Sequence, residues 1–101
     1  MERLYDLSHE AQQDLFEIWL RIADDSVDLA DWIEGEFHKL FAMLGRMPRL
    51  GHTRKDLTRR PVLFFGLYSF LVVYYPDPKP VHIMAVLRGR RNVKRILKER
   101  P

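Results

Sequence analysis

Four histidines, at positions 9, 38, 52 and 82, are the side chains of this 101-residue chain best placed to move a proton near neutral pH. His52 is the one credible general base, because Arg54 and Lys55 follow it and could hold a phosphate beside it. As a loop histidine it would otherwise make only a local hydrogen bond. His82 is six residues from Arg88, about 20 Å along a strand, too far to share a site. His9 and His38 fall in helical segments without a ligand-spaced partner, and the chain has no cysteine. No metal and no cofactor are expected from these residues. The second constellation is Arg88, Arg90 and Arg91 around Gly89, just before Asn92, where a helix start favours anions. With Lys94 and Arg95 it forms a candidate surface for a phosphate or carboxylate of a target. Arginine stays protonated and lysine mostly so, which suits them to binding rather than proton transfer. Taken as an ordinary solvated turn, the same arginines would only solubilise the chain.

These bases belong to a wider pattern. Residues 1–36 carry eleven acids and two bases, and residues 37–101 carry fifteen bases and three acids, so the halves are −9 and +12 and sum to +3. Thirteen of the seventeen bases lie in two blocks, six in Arg46–Arg60 and seven in Arg88–Arg100. Concentrating like charge costs self-repulsion, so a polyanionic or acidic partner is implied. The acidic helices could equally serve solubility, mask the bases within the fold, or dock on the bases of a neighbour.

The elements that must position these groups follow from periodicity. Length and a 47% apolar composition predict one folded domain, residues 1–101. Arg3–Leu7 alternates as a short strand and ends at Ser8, an N-cap. Ala11, Leu15, Ile18, Trp19, Ile22 and Ala23 mark one helical face, with Asp14, Glu17 and Arg21 on the solvated side. After the break at Asp24-Asp25-Ser26, a second helix shows Ala30, Ile33, Phe37, Leu40, Phe41 and Leu44, with Gly45 as its C-cap and Trp32 off the stripe as an exposed anchor. A short link implies an antiparallel helical hairpin. Residues 47–61 form a loop, long enough to suggest function. Strands are predicted over Val62–Leu67, Tyr68–Tyr75 and Val81–Arg88, then a short helix capped by Asn92. The class is α+β: about four strands in a small antiparallel sheet on the hairpin, in the order β-α-α-β-β-β with a C-terminal helix. The N-terminus lacks the apolar core of a signal peptide, and Val62–Tyr75 falls short of the ~18 residues a membrane span needs. A cytoplasmic protein is expected, with no membrane partner.

The second strand is apolar at both phases: Tyr68, Phe70, Val72 and Tyr74 on one, Leu71, Val73 and Tyr75 on the other. A helical hairpin covers one face of a sheet, so the other needs cover too. Either the C-terminal helix supplies it, with tyrosines tolerating partial exposure, or a partner chain does.

Leu7-Ser8-His9-Glu10-Ala11-Gln12-Gln13-Asp14-Leu15, Met47-Pro48-Arg49-Leu50-Gly51-His52, the Tyr68–Tyr75 strand and Val86-Leu87-Arg88-Gly89-Arg90-Arg91-Asn92, in this order, resemble the ParE/RelE superfamily of toxins from bacterial toxin-antitoxin operons. The resemblance covers nearly the whole chain. It implies an antiparallel sheet backed by two helices and an antitoxin whose C-terminal arm wraps the toxin. On it Trp32, Tyr68, Phe70, Val72 and Tyr74 are the expected antitoxin surface. RelE-like members cleave mRNA on the ribosome, and that branch implies His52, Arg54, Lys55 and Arg88 as the catalytic set, with Arg59 and Arg60 as further loop bases. It also implies a tyrosine or histidine in the C-terminal segment, and none follows His82. The chain looks more like the ParE branch, which inhibits DNA gyrase without being an enzyme. That implies a ParD-like antitoxin and gyrase as partners, DNA through the gyrase complex, and Arg88, Arg90, Arg91, Lys94 and Arg95 as the target surface. The alternatives are the mRNA endonuclease and a non-toxic nucleic-acid or antitoxin-binding module.

Overall fold

The computed structural model of the protein describes residues 3–89 and 91–101. Arg90, assigned above to the target surface, lies outside the described residues. The order is β1 (Tyr5–Leu7), α1 (His9–Ala23), α2 (Val27–Arg46), β2 (Leu63–Leu67), β3 (Phe70–Tyr75), β4 (Val81–Arg88) and α3 (Val93–Glu99). Two N-caps are the predicted ones, Ser8 accepting from Ala11 N and Asn92 from Arg95 N, and within the Asp24-Asp25-Ser26 break it is Ser26 that caps α2, accepting from Leu29 N. Each satisfies a helix-end donor that would otherwise lack a partner.

The sheet runs β1-β4-β3-β2. β2 with β3 and β3 with β4 pair antiparallel, but β1 lies parallel to β4, Tyr5 opposite Val81 and Leu7 opposite Ile83. The sheet is therefore mixed, because the chain enters α1 at Ser8 and crosses the sheet before returning. β3 begins at Phe70 rather than Tyr68, since Tyr68 and Ser69 form the turn after Leu67.

The hairpin α1–α2 packs on one face around Phe37, Phe41, Leu44, Val72, Tyr74 and Ile83. Each fully buried phenylalanine there contributes roughly 1.5–3 kcal/mol. On the other face α3 packs Val93 and Leu97 on Phe64, Val73, Ala85 and Leu87. The C-terminal helix thus supplies the cover that both-phase apolarity required. Val72 and Tyr74 are fully buried beneath the hairpin, which corrects their assignment to an antitoxin surface: neither presents any area to a partner.

Three local expectations also change. Asp14, placed on the solvated face, is 6% exposed. Gly45 is inside α2, not its C-cap, and a Cβ there would collide with the Leu4 backbone. The glycine lets α2 lie against the chain entering β1. Trp19, read as core, is only half-buried, and its indole donates to Asp31 across the hairpin at 2.8 Å.

The loop after α2 is fixed at its start by Tyr74, whose hydroxyl donates to Pro48 O at 2.8 Å and accepts from Gly51 N at 2.9 Å. Burial pushes its pKa above the usual tyrosine value. A folded pKa above the unfolded one means that the native state holds the proton longer, so stability is complete below about pH 10 and falls as pH rises beyond it. Tyr74→Phe is expected to cost about 1–3 kcal/mol by stranding Gly51 N–H and Pro48 O, and to lessen the alkaline decline. Urea denaturation of both proteins at neutral and alkaline pH checks this; equal stability at neutral pH would remove the anchor from the account.

Candidate functional site

β1 reaches only Ile83 because the chain turns at Ser8, leaving the β4 edge from Met84 to Arg88 with no neighbouring strand among the described residues. Side chains take its backbone groups instead. Ser8 Oγ donates to Met84 O at 3.0 Å, and Val86 N donates to Asp14 Oδ2 at 2.9 Å. Arg100, beyond α3 on the opposite face, reaches round this edge and donates both Nη atoms to the Asp14 carboxylate at 2.7 Å. The hydrogen bond to Asp14 holds the Arg100 pKa above its ordinary value. One bidentate ion pair thereby joins the two helical layers across the sheet edge.

Beside this clasp lies a cleft of about 130 Å³ whose walls include Glu17 and Arg21 of α1, Ser69 and Phe70, and Arg88 and Arg91. With Asp14 matched by Arg100, three arginines face Glu17, so the cleft has positive character. The backbone fixes the arginines: Gly89 N donates to Ser69 O and Arg91 N to Arg88 O, both at 3.0 Å. Arg88 and Arg91 are exposed.

The same end of the sheet carries an exposed aromatic pair. Tyr68 occupies the left-handed region at φ 55°, where a turn favours glycine. It is 60% exposed, its ring lies 5.9 Å from that of Trp32, itself 53% exposed, and its hydroxyl donates to Glu36 at 3.3 Å. Phe70 is half-buried, edge-on to Phe37. Of the expected antitoxin surface, Trp32 and Tyr68 come together in the open.

The other groups separate. His52 pairs through its backbone with Phe64 as an extra rung beyond β2. Phe64 opposes Val73, Val73 opposes Ala85, and Arg88 is three residues further, so three strand spacings and three residues put His52 roughly 17 Å from Arg88. The set His52, Arg54, Lys55 and Arg88 is not one site. Arg54 holds Asp56 at 2.8 Å, and Lys55 faces α3. His82 pairs with Asp6, His38 Nδ1 meets the Tyr5 hydroxyl at 2.6 Å, and His9 meets Gln13 at 3.2 Å. The expected target surface divides as well: Lys94 faces the loop, and Arg95 is paired with Glu99 at 3.1 Å.

The partner of Asp14 in the Asp14–Arg100 clasp is not legible in the sequence, although the unusual place of Asp14 is. Asp14 follows Ala11 by three and precedes Ile18 by four, which puts a carboxylate on the apolar stripe. Nothing local names its partner.

A family model described as ParE toxin of type II toxin-antitoxin system, parDE, matches residues 5–93. None of the curated proteins matches the chain.

Proposed function

Because the chain belongs to the ParE family of type II toxin-antitoxin toxins, we propose that it acts by binding and inhibiting DNA gyrase and is neutralised by a ParD-like antitoxin. What carries this reading is the placement of Arg88 and Arg91. They stand in a cleft beside exposed aromatics, roughly 17 Å from His52 by strand geometry and at the opposite end of β4 from His82. Cleavage of RNA at Arg88 would need both an acid and a base within hydrogen-bond reach; of the cleft's carboxylates Asp14 is held by Arg100, and Glu17 stands without a histidine or tyrosine among the described lining residues to complete a pair. Binding needs only shape and charge, and the cleft has both. A gyrase target places the protein in the cytoplasm, and no helix among the described residues is long and apolar enough to cross a membrane.

Supercoiling by purified gyrase tests the proposal. The protein should inhibit it and leave a gyrase-free translation extract active. Transcripts cut after brief induction, and spared by His52→Ala, would transfer the assignment to the endonuclease.

The antitoxin surface is assigned to Trp32 and Tyr68. A strained, exposed tyrosine at a glycine-favouring turn persists where it serves another purpose. Tyr68→Gly relieves about 1–2 kcal/mol of left-handed strain and loses a ring pair worth about 0.5–1.5 kcal/mol. Stability should therefore change by no more than ~1.5 kcal/mol, whereas antitoxin affinity should fall at least ~10-fold as an aromatic anchor disappears. Calorimetric titration with the antitoxin decides; unchanged affinity would release Tyr68 from that role.

A further inference from the structure

The two basic blocks meet in space. The loop wraps the β2 edge at His52 and runs to the face covered by α3, where Lys55 and Arg59 stand across a groove from Lys94 and Lys98, with Leu57 and Leu97 between. Within both blocks the bases divide by job. Arg54 holds Asp56, Arg95 holds Glu99, Arg100 holds Asp14, and Arg60 donates to Tyr75, Pro101 O and Arg100 O. Lys55, Arg59, Lys94 and Lys98 are exposed and form no ion pair and no side-chain hydrogen bond among the described residues. Arg60 ties the loop to the end of α3, so the groove walls are held together. The Arg54 hydrogen bond lowers the Asp56 pKa, and the Lys94 charge lowers it further, so the α3 base lies within electrostatic reach of the loop.

Around this groove four cations face one carboxylate, Asp56, which Arg54 already holds, so the surplus positive charge favours an anion with repeated charge. Among the described residues no aromatic side chain lines this groove, and proteins that hold single strands use aromatic rings to stack the bases. We infer that the groove formed by Lys55, Arg59, Lys94 and Lys98 binds the phosphate backbone of double-stranded nucleic acid, without base readout. This site is separate from the Arg88 cleft and does not depend on gyrase being the target.

Fluorescence anisotropy of the full chain with labelled duplex DNA, duplex RNA and a single strand, across a salt series and without gyrase, tests the inference. For duplex DNA, four phosphate contacts give a slope of log K against log salt of about −3.6, roughly −0.9 for each. Lys94→Gln with Lys98→Gln should bring the slope to about −1.8, with an unchanged melting temperature. Arg46→Gln, at the end of α2 on the other side of the sheet, should leave the slope as it was. Duplex RNA bound as well as duplex DNA supports backbone recognition. Tighter binding of the single strand, no duplex binding, or a slope unmoved by the double substitution overturns the inference, as does binding of an acidic peptide in place of the duplex. Duplex binding with undisturbed supercoiling would uphold this groove and refute the gyrase proposal.

Discussion

Replacing Asp14 with alanine is expected to lower the stability of the fold by about 3–5 kcal/mol, the usual cost of removing one member of a buried ion pair. A domain of this size has roughly 5–15 kcal/mol in hand, so the loss takes much of it. Two groups are stranded: the Arg100 guanidinium, whose side chain is 16% exposed, and Val86 N–H on the open edge of β4. Replacing both partners, Asp14→Leu with Arg100→Met, should recover most of the charge penalty, because an apolar pair needs no compensation. About 1–3 kcal/mol should remain lost, since Val86 N–H still lacks its acceptor. Urea denaturation of the two single variants and the double variant measures the coupling. If the losses simply add, Arg100 and Asp14 do not act as a pair, and the joining of the two helical layers needs another explanation.

The second large effect is on action rather than stability. Arg88→Ala with Arg91→Ala should raise the concentration needed to inhibit supercoiling by about 10³-fold. Anchoring arginines at interfaces cost at least ~2 kcal/mol each on truncation, and about 4 kcal/mol is three powers of ten. Both side chains are exposed, so stability should move by no more than about 0.5 kcal/mol. That separation of effects distinguishes a binding surface from a structural one. Full inhibition by the double variant would remove the cleft from the target surface, and the groove beside α3 would be the next place to look.

The charge split read from the sequence has a simple spatial meaning. Acidic α1 and α2 cover one face of the sheet, and the basic loop and α3 lie on the other. The chain crosses from the first face to the second once, around the edge of β2, so a division along the sequence becomes a division between faces. This also separates the bases that looked equivalent in sequence. Arg60 and Arg100 are committed to the fold, Arg88 and Arg91 to the cleft, and Lys55, Arg59, Lys94 and Lys98 to the groove.

Local rules were enough for the order of elements. The 3.6-residue stripes of α1 and α2, the caps at Ser8, Ser26 and Asn92, and the prolines after Tyr75 each act within a few residues, so their signal survives in one dimension. The motifs that resemble the superfamily were legible for the same reason. What depended on distant contacts was not. An apolar strand of both phases cannot say which phase faces the hairpin, so Val72 and Tyr74 could be told from an exposed surface only once α1, α2 and α3 were placed. Gly45 looked like a helix stop until Leu4 lay against it. The parallel pairing of β1 with β4 joins positions 76 residues apart, and the Asp14–Arg100 clasp joins positions 86 apart. The sequence by itself determined the elements, their order, the family resemblance and the segregation of charge. Only the tertiary structure decided which bases are spent on holding the fold and which are left to bind, because pairing a charge requires its partner within a few ångströms, and the partners come from the far end of the chain.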